Sequence, residues 1–155
     1  MTAEIKGFVE YLEKVKEASS NTVISYQRDL TQLASFLENK GITEVGKVTK
    51  TSLNSYILEL EKEGKAAATI SREMASIKAF FHYAFRQGMI RRDPSEFMKA
   101  PKVEKKAPVI LTLAEVNALL EQPGGNSPKE KRDKAMLDLL YAIVIRVSEL
   151  IGLQM

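Results

Sequence analysis

Apolar residues recur at helical spacing through most of the chain, and glycine or proline closes each run. Ile5, Phe8, Val9, Leu12 and Val15 fall on one face and predict a first helix near 3–17. Ser19-Ser20-Asn21 offers N-cap side chains, after which Val23, Tyr26, Leu30, Leu33 and Leu37 advance by threes and fours to a stop at Gly41. Thr49 or Thr51 caps a third helix bearing Leu53, Tyr56, Ile57 and Leu60, which stops at Gly64. A fourth carries Ile70, Met74, Ile77, Phe80, Phe81, Ala84 and Phe85 as far as Gly88. Asp93-Pro94-Ser95-Glu96 has the form of a capping box with proline at the first helical position, and predicts a short fifth helix.

The pattern then lapses. Residues 100–110, APKVEKKAPVI, hold Pro101 and Pro108 with lysines between them, and a helix cannot run through both prolines. Periodicity returns behind a second capping box, Thr112-x-x-Glu115, with Val116, Leu119 and Leu120. Pro123-Gly124-Gly125-Asn126 reads as a loop, and Ser127-Pro128-Lys129-Glu130 starts a strongly apolar helix. No segment alternates with period two, so the fold class is all-α. The expected organisation is a helical domain over 1–99, a basic linker over 100–111, and a second helical unit over 112–155.

Composition narrows the chemistry. The 155 residues contain no cysteine and a single histidine, His82, which excludes disulfides, thiolate zinc sites, a cysteine nucleophile and a histidine-rich metal centre. The acidic residues are scattered and glycine-rich phosphate loops are absent, so neither metal nor cofactor is expected. The longest unbroken apolar run, Leu139 to Ile145, is far short of the roughly 20 residues that span a bilayer. With no basic-then-apolar leader at the N-terminus, the expected location is cytoplasmic, with no membrane partner.

Charge separates the segments. The net charge of +3 resolves into −2 over residues 1–64, +6 over 65–106 and −1 over 107–155. Such a basic stretch is either a solvated face with a basic linker or a region that contacts phosphates, where counterion release favours Lys and Arg. Within it, Arg72 and Lys78 lie on the fourth helix, and Lys102, Lys105 and Lys106 lie in the linker. Thr22 and Tyr26 stand at the start of the second helix, where hydroxyls and free N–H groups serve either as plain caps or as phosphate ligands. His82, among Phe80, Phe81, Tyr83 and Phe85, reads as a half-buried structural histidine. Arg146 stands alone inside an apolar stretch, with Glu149 three residues on. The pair is either an ordinary surface ion pair or a rigidly held phosphate clamp.

Four stretches together resemble the tyrosine recombinase, or phage integrase, family of the Xer type. They are NTVISYQRDLTQLASFLENKGI, ATISREMASIKAFFHYAFRQGMIRRDPSEFM, APKVEKKAPVILTLAEVNALL and RDKAMLDLLYAIVIRVSEL, in that order. The resemblance implies a SAM-like N-terminal helical bundle, the core-binding domain, followed by the first helices of a catalytic domain, the two closing on double-stranded DNA. It implies that the helices through Thr22, Tyr26, Arg72 and Lys78 face DNA, with Lys102, Lys105 and Lys106 along its backbone. Arg146 matches the family's first catalytic arginine, supported by Glu149.

The sequence also departs from the family. Its five tyrosines all precede Arg146 and none matches the nucleophile, so one arginine is left without the group that would attack phosphorus. The resemblance therefore implies the DNA-binding portion of a strand-cutting enzyme, not competent alone. Ahead of the arginine, Ile143 and Val144 replace the family's Thr-Gly. Val144 resists positive φ, so one helix is expected to run from about Pro128 past Arg146 to Leu153. Met136, Leu140, Ile143, Val147 and Leu150 would then form a heptad-like seam, and residues 128–153 would either pair with another copy or fold back on the bundle. Three functions stay open: a DNA-binding portion of a site-specific recombinase acting in DNA integration and recombination, a non-catalytic helical module for self-association or protein interaction, and a cut or altered piece of a parent enzyme.

Overall fold

In the computed structural model, residues 1–102 and 107–153 are described; the secondary structure among them is entirely helical, with no strand. The chain divides into two compact units, Met1–Lys105 and Lys106–Met155. The first contains α1 (Thr2–Lys14), α2 (Ser20–Asn39), a 3₁₀ turn at Val45–Lys47, α3 (Lys50–Lys62) and α4 (Ala67–Arg86). The second contains α5 (Leu113–Glu121), α6 (Pro128–Ile143) and α7 (Val147–Ile151).

The first unit is a four-helix bundle in which α2 and α4, the two longest helices, pack on each other and on both remaining helices. Each supplies its periodic apolar stripe to one core. Phe8 and Leu12 from α1 meet Leu30, Leu33 and Leu37 from α2, Leu53, Tyr56 and Leu60 from α3, and Ile77, Phe80 and Phe81 from α4. Ser19 caps α2 by accepting from the Thr22 N–H, and Thr49 and Ser52 form a reciprocal capping box on α3. The stop at Gly41 is a left-handed residue with φ of 76°, which lets the Ile42 N–H turn back to the Leu37 carbonyl at 2.9 Å.

A polar network runs through this core. Asp29 on α2 is 2% exposed and accepts from the Ser76 hydroxyl of α4 at 2.7 Å and from the Arg72 guanidinium one turn earlier. Glu73, 3% exposed, lies 4.0 Å from the same guanidinium and accepts from the Tyr56 hydroxyl of α3 at 2.7 Å. Two buried carboxylates are thereby satisfied, and α2, α3 and α4 are fixed in register. The hydrogen bond to Asp29 raises the Arg72 pKa.

The boundaries depart from the sequence reading in three places. The first helix ends at Lys14, not near 17; Val15 is exposed, and Glu17 takes a left-handed φ of 49° as the Ala18 N–H reaches back to the Leu12 carbonyl at 3.0 Å. No fifth helix follows Asp93. Its carboxylate accepts from the Ser95 N–H at 2.8 Å and the Ser95 hydroxyl at 2.6 Å, two residues on, which closes a turn where a cap would have bonded three residues on.

The third departure lies in the second unit. Its α5 and α6 are both opened by capping boxes, Thr112 with Glu115 and Ser127 with Glu130, as the sequence predicts. The helix does not continue through Arg146. It stops at Ile143, and Val144 occupies the left-handed region at φ 52°, ψ 40°. The heptad-like seam is broken there, so Ile143 and Val147 are not on one continuous helix. Nothing on α5, α6 or α7 is buried, and Met136, Ile143, Val147 and Ile151 are all exposed.

Removing Arg72 leaves the Asp29 carboxylate buried with only Ser76 to satisfy it. Arg72→Ala is expected to cost about 3 kcal/mol of unfolding free energy, read from the urea midpoint. Tyr56 gives a second test. Burial first, and then its bond to Glu73, push its pKa above the ordinary value. The phenol ionises near pH 10 in the unfolded chain and resists ionisation in the fold. The stabilisation is therefore complete below pH 10 and is lost as pH rises above it. Urea midpoints at pH 9 and pH 11 are expected to differ more for the native chain than for Tyr56→Phe.

Candidate nucleic-acid interface

The core of α4 uses Ile70, Met74, Ile77, Phe81 and Ala84, which leaves an outward face at Ser71, Ala75, Lys78, His82 and Arg86. Lys78, His82 and Arg86 follow at four-residue intervals, one above another, and all three are exposed. Neither Lys78 nor Arg86 makes an ion pair among the described residues, and the face carries no carboxylate. His82 is thus not the half-buried structural group that its aromatic neighbours implied; the rings at 80 and 81 point into the core while the imidazole points out.

Arg72 stands apart from this face. Its guanidinium is held by Asp29, with Glu73 next to it, and its side chain remains only 36% exposed. The two residues singled out from the sequence as a pair, Arg72 and Lys78, therefore differ: one is a half-exposed cation paired with a buried carboxylate, the other a free charge in solvent.

At the start of α2, the Thr22 hydroxyl shares a hydrogen bond with Ser19 at 2.9 Å, and Tyr26 lies half-buried with its ring stacked on Phe8 at 6.4 Å between centroids. Thr22, Tyr26, His82 and Arg86 line one groove together with Lys16, from the segment joining α1 to α2. Sequence reasoning missed Lys16 and Arg86. The spacing of 78, 82 and 86 was a signal for Arg86; Lys16 reaches the groove only through tertiary packing. On α2 the exposed Gln27, Arg28 and Gln32 were also missed, and they present amide and guanidinium groups of the kinds that read base edges. Lys102 is exposed. Lys105 and Lys106 lie outside the described residues.

In the second unit, Arg146 sits between α6 and α7 and is 84% exposed. Glu149 holds it twice: one carboxylate oxygen accepts from the Arg146 backbone N–H at 2.8 Å and the other lies 3.3 Å from its guanidinium. The turn that presents this arginine depends on Val144 in the left-handed region, which costs a β-branched residue about 1–2 kcal/mol. Among the described residues no group of histidines and carboxylates is placed to hold a metal ion, and no helix is long and apolar enough to cross a membrane.

A SAM-like helical bundle with a free basic face is the class that these observations define. The family described as phage integrase, N-terminal SAM-like domain, matches residues 5–88, and the chain belongs to that family, among the tyrosine recombinases. It is 45% identical over 147 residues to a protein of Caldanaerobacter subterraneus subsp. tengcongensis provisionally named a tyrosine recombinase, covering 95% of this chain and 50% of that one. It is 36% identical to the tyrosine recombinase XerC of Roseiflexus castenholzii over 99% of this chain and 49% of the relative. It is 37% identical to XerD of Halalkalibacterium halodurans over 96% of this chain and 50% of the relative. The chain spans about half the length of these relatives. Its fold is similar to that of the Tn1549 transposon integrase, solved in complex with a circular intermediate DNA, at a TM-score of 0.69 and 22% identity, covering 97% of this chain and 48% of the other.

Proposed function

We propose that the chain is the DNA-binding portion of a site-specific tyrosine recombinase, acting in the cytoplasm on duplex DNA. The free cations on the outward face of α4, Lys78 and Arg86, carry this reading, because no carboxylate stands on that face to neutralise them. They supply phosphate contacts, with Thr22 and Tyr26 lining a groove beside Arg86. Residues 1–99 are then the gripping domain, 100–111 a linker whose Lys102, Lys105 and Lys106 add backbone contacts, and 112–155 the first helices of a catalytic domain. The relatives named as recombinases and the integrase bound to DNA support this assignment. Arg146, steadied by Glu149, is the group that would hold a phosphate during strand exchange by the whole protein. No tyrosine follows it in these 155 residues.

Arg72 acts differently under this proposal. It serves the interface by locking α4 to α2, with at most an edge of its guanidinium left for a phosphate. Stability and DNA affinity therefore separate. With about four phosphates neutralised, affinity for a blunt duplex should fall about 100-fold between 50 and 200 mM salt. Lys78→Ala and Arg86→Ala should each reduce the salt slope by about one with unchanged melting. No duplex binding at low salt, or an unaltered slope in both variants, defeats the proposal.

A second reading rests on the exposed apolar side chains of α6 and α7. Patches of this kind seldom persist on a monomer, and residues 128–153 would pair with another copy. Sedimentation equilibrium is then expected to show a dimer that Leu140→Asp dissociates; a monomer insensitive to that change rejects it.

A further inference from the structure

The groove shared by α1, α2 and α4 has a second character besides charge. It encloses about 590 Å³, within the range of small-molecule sites. Its base is aromatic. Buried Phe8 meets Tyr83 at 5.3 Å between ring centroids, and Tyr83 meets Tyr11 at 4.9 Å, while Tyr26 stacks on Phe8 at 6.4 Å. The three phenol rings are half-buried, so each keeps part of its surface open. The exposed groups that line the groove are Lys16, His82, Arg86 and Gln87. No carboxylate lines it, and neither Lys16 nor Arg86 is paired among the described residues.

A plain duplex contact uses the cations of such a groove and leaves the rings idle, because bases inside a duplex expose only their edges. The combination of partly exposed tyrosines with unneutralised cations fits a ligand that is planar and anionic at once. A nucleotide with an unpaired base is that ligand: its base stacks on a tyrosine and its phosphate meets Arg86 or Lys16. We infer that the groove lined by Tyr11, Tyr26, Tyr83, Lys16 and Arg86 is a binding site for an unpaired nucleotide. The inference rests on the nucleic-acid reading above for the kind of anion, and adds a single-stranded element to it. The same chemistry comes from two sources, a free mononucleotide or a nucleotide in a strand.

The chain carries its own reporter. It has no tryptophan, and three of its five tyrosines line the groove, so tyrosine emission reads occupancy directly. A short oligothymidylate is expected to quench that emission saturably, and Tyr26→Leu and Arg86→Glu should each weaken its binding about tenfold. Lys16→Glu is at an exposed position in the segment between α1 and α2 and should weaken it also; it supplies the result should Tyr26→Leu disturb folding, which thermal melting would reveal. Quenching by the oligomer and not by thymidine monophosphate assigns the site to a strand. Equal affinity for both assigns it to a free nucleotide, and either outcome supports the inference. Absence of quenching by both ligands, or affinity unchanged in Arg86→Glu and Lys16→Glu, overturns it. A blunt duplex tested alongside keeps the two readings apart. Duplex binding with no response to the oligomer removes only the groove site, whereas oligomer binding with no duplex affinity removes only the duplex proposal.

Discussion

The bundle is organised around a carboxylate that has no access to water. Asp29 lies in the seam between the two long helices, where an unsatisfied charge is costly. Its requirements are met from one side only, by Ser76 and Arg72 of α4. Sliding or rotating α4 against α2 by one residue would take at least one of those groups away. The neighbouring Glu73 extends the constraint to α3 through Tyr56. The apolar core supplies the drive to associate, but Leu and Phe tolerate more than one packing. The polar pairs select the arrangement, and that arrangement fixes which residues of α4 remain outside.

This explains why counting charge along the chain overstates the interface. The net +6 of residues 65–106 includes Arg72, which the fold has already neutralised. What remains on α4 is Lys78 and Arg86, with His82 between them. The effective surface is smaller than the sequence sum and more sharply placed. It adjoins the open tyrosine rings, because the same rotation of α4 that buries Phe80 turns Tyr83 toward α1.

Most of the bundle was legible because each helix states its apolar period locally, and α2 and α3 state their caps as well. The glycine stops at 41, 64 and 88, and in the second unit the capping boxes at Thr112 and Ser127, all depend on residues within a turn of one another. What misled was also local. Asp93-Pro94-Ser95-Glu96 holds every residue of a helix start, yet Ser95 takes the carboxylate two positions on and the chain turns instead. Arg72 and Lys78 look alike on the page; only the approach of Asp29, 43 residues earlier, separates them. Lys16 has no periodic partner at all, and joins the groove through the way α1 meets α2 and α4.

The turn before Arg146 shows the limit of arguing from one residue's preference. A β-branched side chain disfavours the left-handed region by about 1–2 kcal/mol, which was reason to expect an unbroken helix. Yet Val144 adopts it, at φ 52°. Val147, Ile151 and Leu153 beyond the break are exposed, so little burial ties that segment to either course. Breaking the helix gives α7 a start of its own, with the Glu149 carboxylate accepting from the Arg146 N–H and lying beside its guanidinium. The cap to the N–H and the screened ion pair together offset part of that strain. The arginine is therefore presented by Glu149 and the turn acting together, and the family's glycine at this position would make the same turn with less strain.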